Sequence, residues 1–163
     1  MARRILGCGL AVVLAAAASP AFEKLKGLVG EWVEAGKDGK PTDKVVSVYK
    51  LTAGGSAVHE TIFPGTPMEM VTVYHLDGKD LTLTHYCMLG NQPRLKLDQA
   101  STDKKLKFAF VGGSNLDPAK DPHMHEGSIT FLDANTIESA WVGYQDGKPA
   151  EGHQMTMKLV RKK

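Results

Sequence analysis

Cysteine is nearly absent. Of two in 163 residues, Cys8 lies among residues 1–21 and Cys87 stands alone beyond them, so no internal disulfide can staple the fold and stability must come from packing. Charge of one sign is missing too. Without residues 1–21 the chain carries 18 basic and 18 acidic residues, and no basic run offers the electrostatic footprint that nucleic acid requires. No apolar stretch after residue 21 is long enough to span a membrane, and no sustained 3.6-residue periodicity argues for long helices. Reaction signatures are also lacking: no Gly-x-Ser-x-Gly, no glycine-rich phosphate loop opening a helix, no His-Glu-x-x-His. Gly112-Gly113-Ser114 precedes a proline-bearing loop, not a helix. No catalytic residue is assigned.

What is present begins with MARRILGCGLAVVLAAAASPA, in which Arg3 and Arg4 precede an apolar run that ends among small residues around Pro20. This reads as a secretory signal peptide over residues 1–21, cut after Ala18 or Ala21, and it predicts a secreted or periplasmic protein. Cys8 precedes the apolar run, which is the wrong place for a lipid anchor. Residues 22–163 are enough for one domain.

That domain reads as all-β. A short helix is expected over 22–29, followed by strands near 31–36, 44–53, 56–63, 68–77, 79–88, 93–101, 104–111, 125–132, 135–144 and 150–162. Alternate connections differ in kind. Gly54-Gly55, Asp77-Gly78-Lys79, Ser101-Thr102-Asp103 and Asp133-Ala134-Asn135 are tight links, whereas the connections near 36–43, 64–67, 89–92, 112–124 and 145–149 are mostly longer and richer in proline. In an up-and-down meander these two sets fall at opposite ends, giving a single antiparallel β-barrel of about ten strands with one closed end and one ringed by loops.

Gly30-Glu31-Trp32 opens the first strand and Arg161 lies near the end of the last. This resembles the calycin arrangement of lipocalins and fatty-acid-binding proteins, in which a Gly-x-Trp tryptophan at the barrel floor packs against a basic side chain of the final strand. With FPGTPMEMVTVYHLDG, LTHYC and GNQPR, the whole chain resembles a family of exported bacterial lipocalin-like proteins of uncharacterised function. The resemblance implies a fold, and a structural floor of Gly30, Trp32 and Arg161, but no activity.

In LTLTHYC the parity of Leu81 and Leu83 continues into His85 and Cys87, so both should line the upper wall of the interior. On the last strand His153, Met155, Met157, Leu159 and Arg161 share a face; with Arg161 at the floor, His153 stands ~27 Å higher, near the mouth. A cavity is expected between the loops, lined lower down by Leu83, Phe108, Ile129, Met155 and Met157. Methionine suits an adaptable apolar wall. His123 and His125 lie on one side of an extended segment, as metal ligands often do, and with His153 they are the metal candidates.

The leading expectation is therefore a binding protein for a small hydrophobic molecule held inside the barrel. One alternative is haem or a metal bound through His153, because ten-stranded haem barrels of the nitrobindin type resemble this layout and take an axial histidine from the final strand. Their Gly-x-Trp-x-Gly-x-Gly start is met by Gly30, Trp32 and Gly36 but has Glu34 at the middle glycine. Another is a solid barrel acting as an interaction domain.

Overall fold

The structure, a computed structural model, describes residues 19–163; the expected leader lies outside the described residues apart from its last three positions. Helix α1, Pro20–Lys26, has the signals of a short capped helix. The Ser19 hydroxyl accepts from the Phe22 amide at 3.4 Å, Pro20 occupies the first turn, and Lys24 and Lys26 sit in the last turn. Phe22 and Leu25 point into the protein and, with Leu28, join the main core.

Ten strands follow: β1 Gly30–Ala35, β2 Pro41–Thr52, β3 Ala57–Ile62, β4 Met70–Asp77, β5 Asp80–Tyr86, β6 Gln92–Leu97, β7 Lys105–Ser114, β8 His123–Asp133, β9 Thr136–Gln145 and β10 Lys148–Arg161. Each pairs antiparallel with its sequence neighbour and β1 pairs with β10, so the sheet closes into an up-and-down barrel, an architecture consistent with a calycin-like fold. The tight β2–β3, β4–β5 and β8–β9 links fall at the α1 end and most of the longer loops at the other, as expected; the exceptions are β6–β7, whose link at the α1 end spans 98–104, and β9–β10, which is closed at the other end by Asp146-Gly147 alone. At Asp77↔Asp80 the turn is closed by Gly78 at φ +61°, a conformation that favours glycine.

The floor is a three-part clamp. The Trp32 indole donates to the Leu28 carbonyl at 2.8 Å and is wholly buried. Arg161 pairs in register with Trp32, and its guanidinium lies 4.5 Å from the indole ring centre. The same guanidinium donates to the Val29 and Gly27 carbonyls, both at 2.8 Å. Gly30 is at φ +130°, and a Cβ on it would stand 3.2 Å from Arg161 Nη1. The Gly-x-Trp glycine is thus required both by the backbone and by the clearance of the clamp.

Above the floor the interior is filled by side chains. Tyr49, Tyr74, Leu81, Leu83, Leu95, Leu106, Phe108, Ile129, Ile137, Trp141 and Leu159 form one packed core with Trp32 and the α1 residues. Closure is uneven, however. The β9–β10 ladder runs from Lys148 to Val160 with one interruption, whereas β1 and β10 share only Trp32↔Arg161, Val33↔Val160 and Glu34↔Leu159. Above Leu159 the two strands no longer pair, leaving an unpaired seam in the upper wall.

Candidate functional site

The core is not wholly apolar. Glu60, on the inward parity of β3 between Val58 and Ile62, is 3% exposed. Its Oε1 accepts from the Ser47 hydroxyl and its Oε2 from the Tyr74 hydroxyl, each at 2.8 Å. Burial holds its carboxyl above the usual range, while the hydroxyls of Tyr49, Ser47 and Tyr74 work in the other direction. The Tyr49 hydroxyl is itself buried without a hydrogen bond of acceptable geometry, although the phenol lies beside the carboxylate.

Register makes these residues a row. Tyr49 pairs with Glu60, Glu60 with Thr72, and Thr72 with His85, so four consecutive strands place a polar inward side chain at one level. The Thr72 hydroxyl and His85 Nδ1 are 2.9 Å apart. The His85 ring is tilted against Trp141 at 5.1 Å. Desolvation lowers the imidazole pKa from 6.5 to about 4, so His85 is neutral at physiological pH. His85 keeps the inward parity read in LTLTHYC, but it ends a buried polar row, bonded to Thr72, instead of lining an open wall.

Cys87 also points inward, but into a small separate cluster with Ile62 and Met70. Burial raises its thiol pKa, which keeps it protonated and a poor nucleophile. The loop that follows is drawn across the top: the Cys87 amide donates to the Asn91 carbonyl at 3.1 Å and Asn91 Nδ2 donates to the Pro122 carbonyl at 2.8 Å. Two of the loops expected to frame a mouth are therefore tied together. Leu83, Phe108 and Ile129, expected as cavity lining, are core residues with 1–3% exposure.

His123 and His125 occupy a different place from that expected of a metal pair. The β7–β8 ladder stops at Ala109↔Glu126, and the rings of Phe110, His123 and His125 fill the divergence above it. His125 also stacks on Tyr144 at 3.8 Å. His123 Nδ1 is 2.8 Å from the Asp121 carbonyl, which can only accept, so in the neutral ring Nδ1 carries the proton. Nε2 must then accept from His125 Nδ1, 2.9 Å away. Both nitrogens of His123 are committed, and the two rings cannot chelate one ion in this arrangement. Desolvation, then the neighbouring His123, lowers the His125 pKa. Among the described residues no three His, Cys, Asp or Glu side chains gather as they would around a metal ion.

On β10 the register jumps between Pro149↔Tyr144 and Gln154↔Val142, with Gly152 at φ +76° in the intervening bulge. His153 lies in that bulge and is exposed, its Cβ next to the inward side of Gly143, where a glycine Cβ would meet it at 2.8 Å. It is not an enclosed wall residue. Met155 and Met157 lie below it on the inner side of β10, half-buried against the core beside the unpaired seam.

A groove of about 560 Å³ lies on the outer face, lined by Lys105, Lys107, Ala109, Ser128, Ala140 and Val142 among others, and a smaller one of about 160 Å³ lies beside the floor between α1 and the β8–β9 turn. Neither occupies the barrel axis. Sequence reasoning passed over Tyr49, Glu60, Thr72, Tyr74 and Trp141; the available signal was an acid at the apolar parity of Val58-His59-Glu60-Thr61-Ile62. No protein-family model matches the chain, and no curated protein matches it.

Proposed function

We propose that this protein is an exported, lipocalin-like carrier that binds a small, largely apolar molecule through the upper part of its barrel. The observation that carries this reading is the β1–β10 seam. Where the pairing has ended, the methionines on the inner side of β10 are only partly buried, while Leu159 below them is fully buried. Flexible thioethers on an incompletely covered inner face form an adaptable apolar surface continuous with the core. Export fits the capping of α1: cleavage after Ala18 leaves the Ser19 cap and Pro20 in place, whereas cleavage after Ala21 removes both.

The test is titration of the folded protein with the fluorescent apolar probe N-phenyl-1-naphthylamine, followed by displacement with unlabelled fatty acid and fatty alcohol. Saturable binding weakened by Met157→Asp, with the denaturation midpoint little changed, supports the carrier. Absence of saturable binding favours a solid barrel that acts as an interaction domain.

A second reading, haem held through His153, draws on one feature: an exposed imidazole directly above Met155 and Met157 on one strand. It requires a Soret band on haemin titration that is lost in His153→Ala and retained in His85→Ala. Equal titration of all three proteins removes it.

A further inference from the structure

We infer that the groove on the outer face of β7, β8 and β9 binds a small organic anion that carries a hydroxyl at the end away from its acid group. This site is separate from the barrel interior and does not rest on the carrier reading. At about 560 Å³ the groove has the size of a small-molecule site. Its depth has a cause in the ladder. Lys107 pairs with Ser128 and Ser128 with Ala140; one step higher Ala109 pairs with Glu126 and Glu126 with Val142. Ala109, Ser128 and Ala140 are outward positions with short side chains, so the sheet surface is hollowed between longer neighbours. With Val142 the two alanines give the hollow an apolar floor.

The end nearest the barrel floor selects the sign of the ligand. Lys105 and Lys107 share the outward parity of β7, and both line the groove. Among the described residues neither ammonium pairs with an acid. Asp98 also stands at this end, but its Oδ1 accepts from the Ala100 amide at 2.6 Å and is turned into its own loop. Two ammonium groups against one carboxylate leave this end net positive. Lysine donors on flexible stems can close on an acid group from both positions.

The opposite end offers an acceptor instead. His125 lines the groove there, its ring held between Phe110 at 4.8 Å and Tyr144 at 3.8 Å. Its Nδ1 proton is committed to His123, so Nε2 is a lone pair with no partner in the chain. Among the described residues the buried polar atoms without a partner belong to Tyr49 and Asn91, so this nitrogen is reachable from outside. Desolvation lowers the His125 pKa and keeps the ring neutral and accepting at pH 7.5. Glu126 beside it accepts from the Tyr144 hydroxyl at 3.3 Å and repels a second acid group. A ligand therefore lies with its hydroxyl donating to His125 and its acid group at the lysines, not the reverse. Two residues of β7, from Lys107 to Ala109, and one of β8, from Glu126 to His125, set the two ends ~10 Å apart. A phenylpropionate skeleton with its hydroxyl and carboxylate at opposite ends matches that span.

The experiment follows backbone amides by ¹H–¹⁵N NMR at pH 7.5 during titration with three compounds: 3-(4-hydroxyphenyl)propionate, 3-phenylpropionate, which lacks the hydroxyl, and 4-propylphenol, which lacks the acid. The hydroxy acid should shift Ala109, Ser128 and Ala140 saturably. Its half-saturation should come at ~10-fold lower concentration than that of 4-propylphenol and ~3-fold lower than that of 3-phenylpropionate, the scales of a charge-assisted and a neutral hydrogen bond. Lys105→Gln combined with Lys107→Gln should erase the first preference. His125→Phe, which keeps a ring against Tyr144, should erase the second. Ala140→Leu, an outward change that fills the groove and spares the core, should abolish binding of all three. Equal affinity for the three compounds, preferences that survive the lysine and histidine variants, or no saturable shift at these amides in the folded protein overturns the site. Shifts confined to interior residues such as Leu83 and Leu95 overturn it as well, and would return these compounds to the barrel.

Discussion

The Arg161 guanidinium stacks on the Trp32 indole and, in the same pose, donates to the carbonyls of Val29 and Gly27. One side chain thus joins the last strand, the first strand and the end of α1. Arg161→Ala removes the stacking and leaves two carbonyls without their donor, and should cost about 2 kcal/mol in urea denaturation. Arg161→Lys should recover less than half of that, because a single ammonium cannot lie over the ring and reach both carbonyls. An unchanged midpoint in Arg161→Ala would show that the clamp contributes nothing.

His85 should give the protein an acid-sensitive limb. Its pKa falls from 6.5 to about 4 on folding because the charged ring is desolvated. Below the unfolded value the unfolded chain takes up a proton that the folded chain refuses, so stability is lost as pH falls from about 6.5 towards about 4. At ~1.36 kcal/mol per unit, the loss approaches 3 kcal/mol as an upper bound. His85→Gln keeps a partner for Thr72 and should flatten the limb in denaturation midpoints measured from pH 7 to 4.5. Glu60 acts with the opposite sign: its raised pKa favours the fold while the acid is protonated, and that contribution is lost as pH rises through the raised value.

The hydrogen-bond chain from Asp121 through His123 to His125 fixes both tautomers. Each neutral ring should carry its proton on Nδ1, leaving His125 Nε2 unprotonated. Long-range ¹H–¹⁵N NMR correlations at pH 7.5 read this directly, since the two nitrogens of a neutral imidazole have well-separated shifts. An Nε2–H signature on His125 would break the proposed chain. Zinc added under the same conditions should perturb His125 without engaging His123.

Fold and site were unequally legible in the sequence. Strand alternation and the two kinds of connection are local signals, and they located all ten strands and the closed end, while the Trp32–Arg161 floor followed from the Gly-x-Trp resemblance. Parity also took His85 and Cys87 inward correctly. His153 keeps the parity of Met155, its Cβ beside Gly143, but the β9–β10 pairing lapses from Pro149 to Gln154 and leaves the side chain exposed, which nothing in EGHQ announces. The row through Glu60 was missed for a different reason. An acid in a strand is most simply assigned to solvent, and only the ladder register shows that Tyr49, Glu60, Thr72 and His85 stand side by side.

The three-pair junction between β1 and β10 also bears on how the barrel comes together and comes apart. Arg161 and Val29 are 132 residues apart, whereas every other ladder joins sequence neighbours. The meander can therefore accumulate hairpin by hairpin, and this junction carries the largest loop-closure entropy with only three pairs to offset it, as few as any ladder in the barrel. It should form last and open first. Amide exchange should be faster at Val33 and Val160 than at the centre of the β8–β9 ladder, and a chain caught with this junction open would present two free strand edges to a neighbour, making closure the step at which folding competes with aggregation.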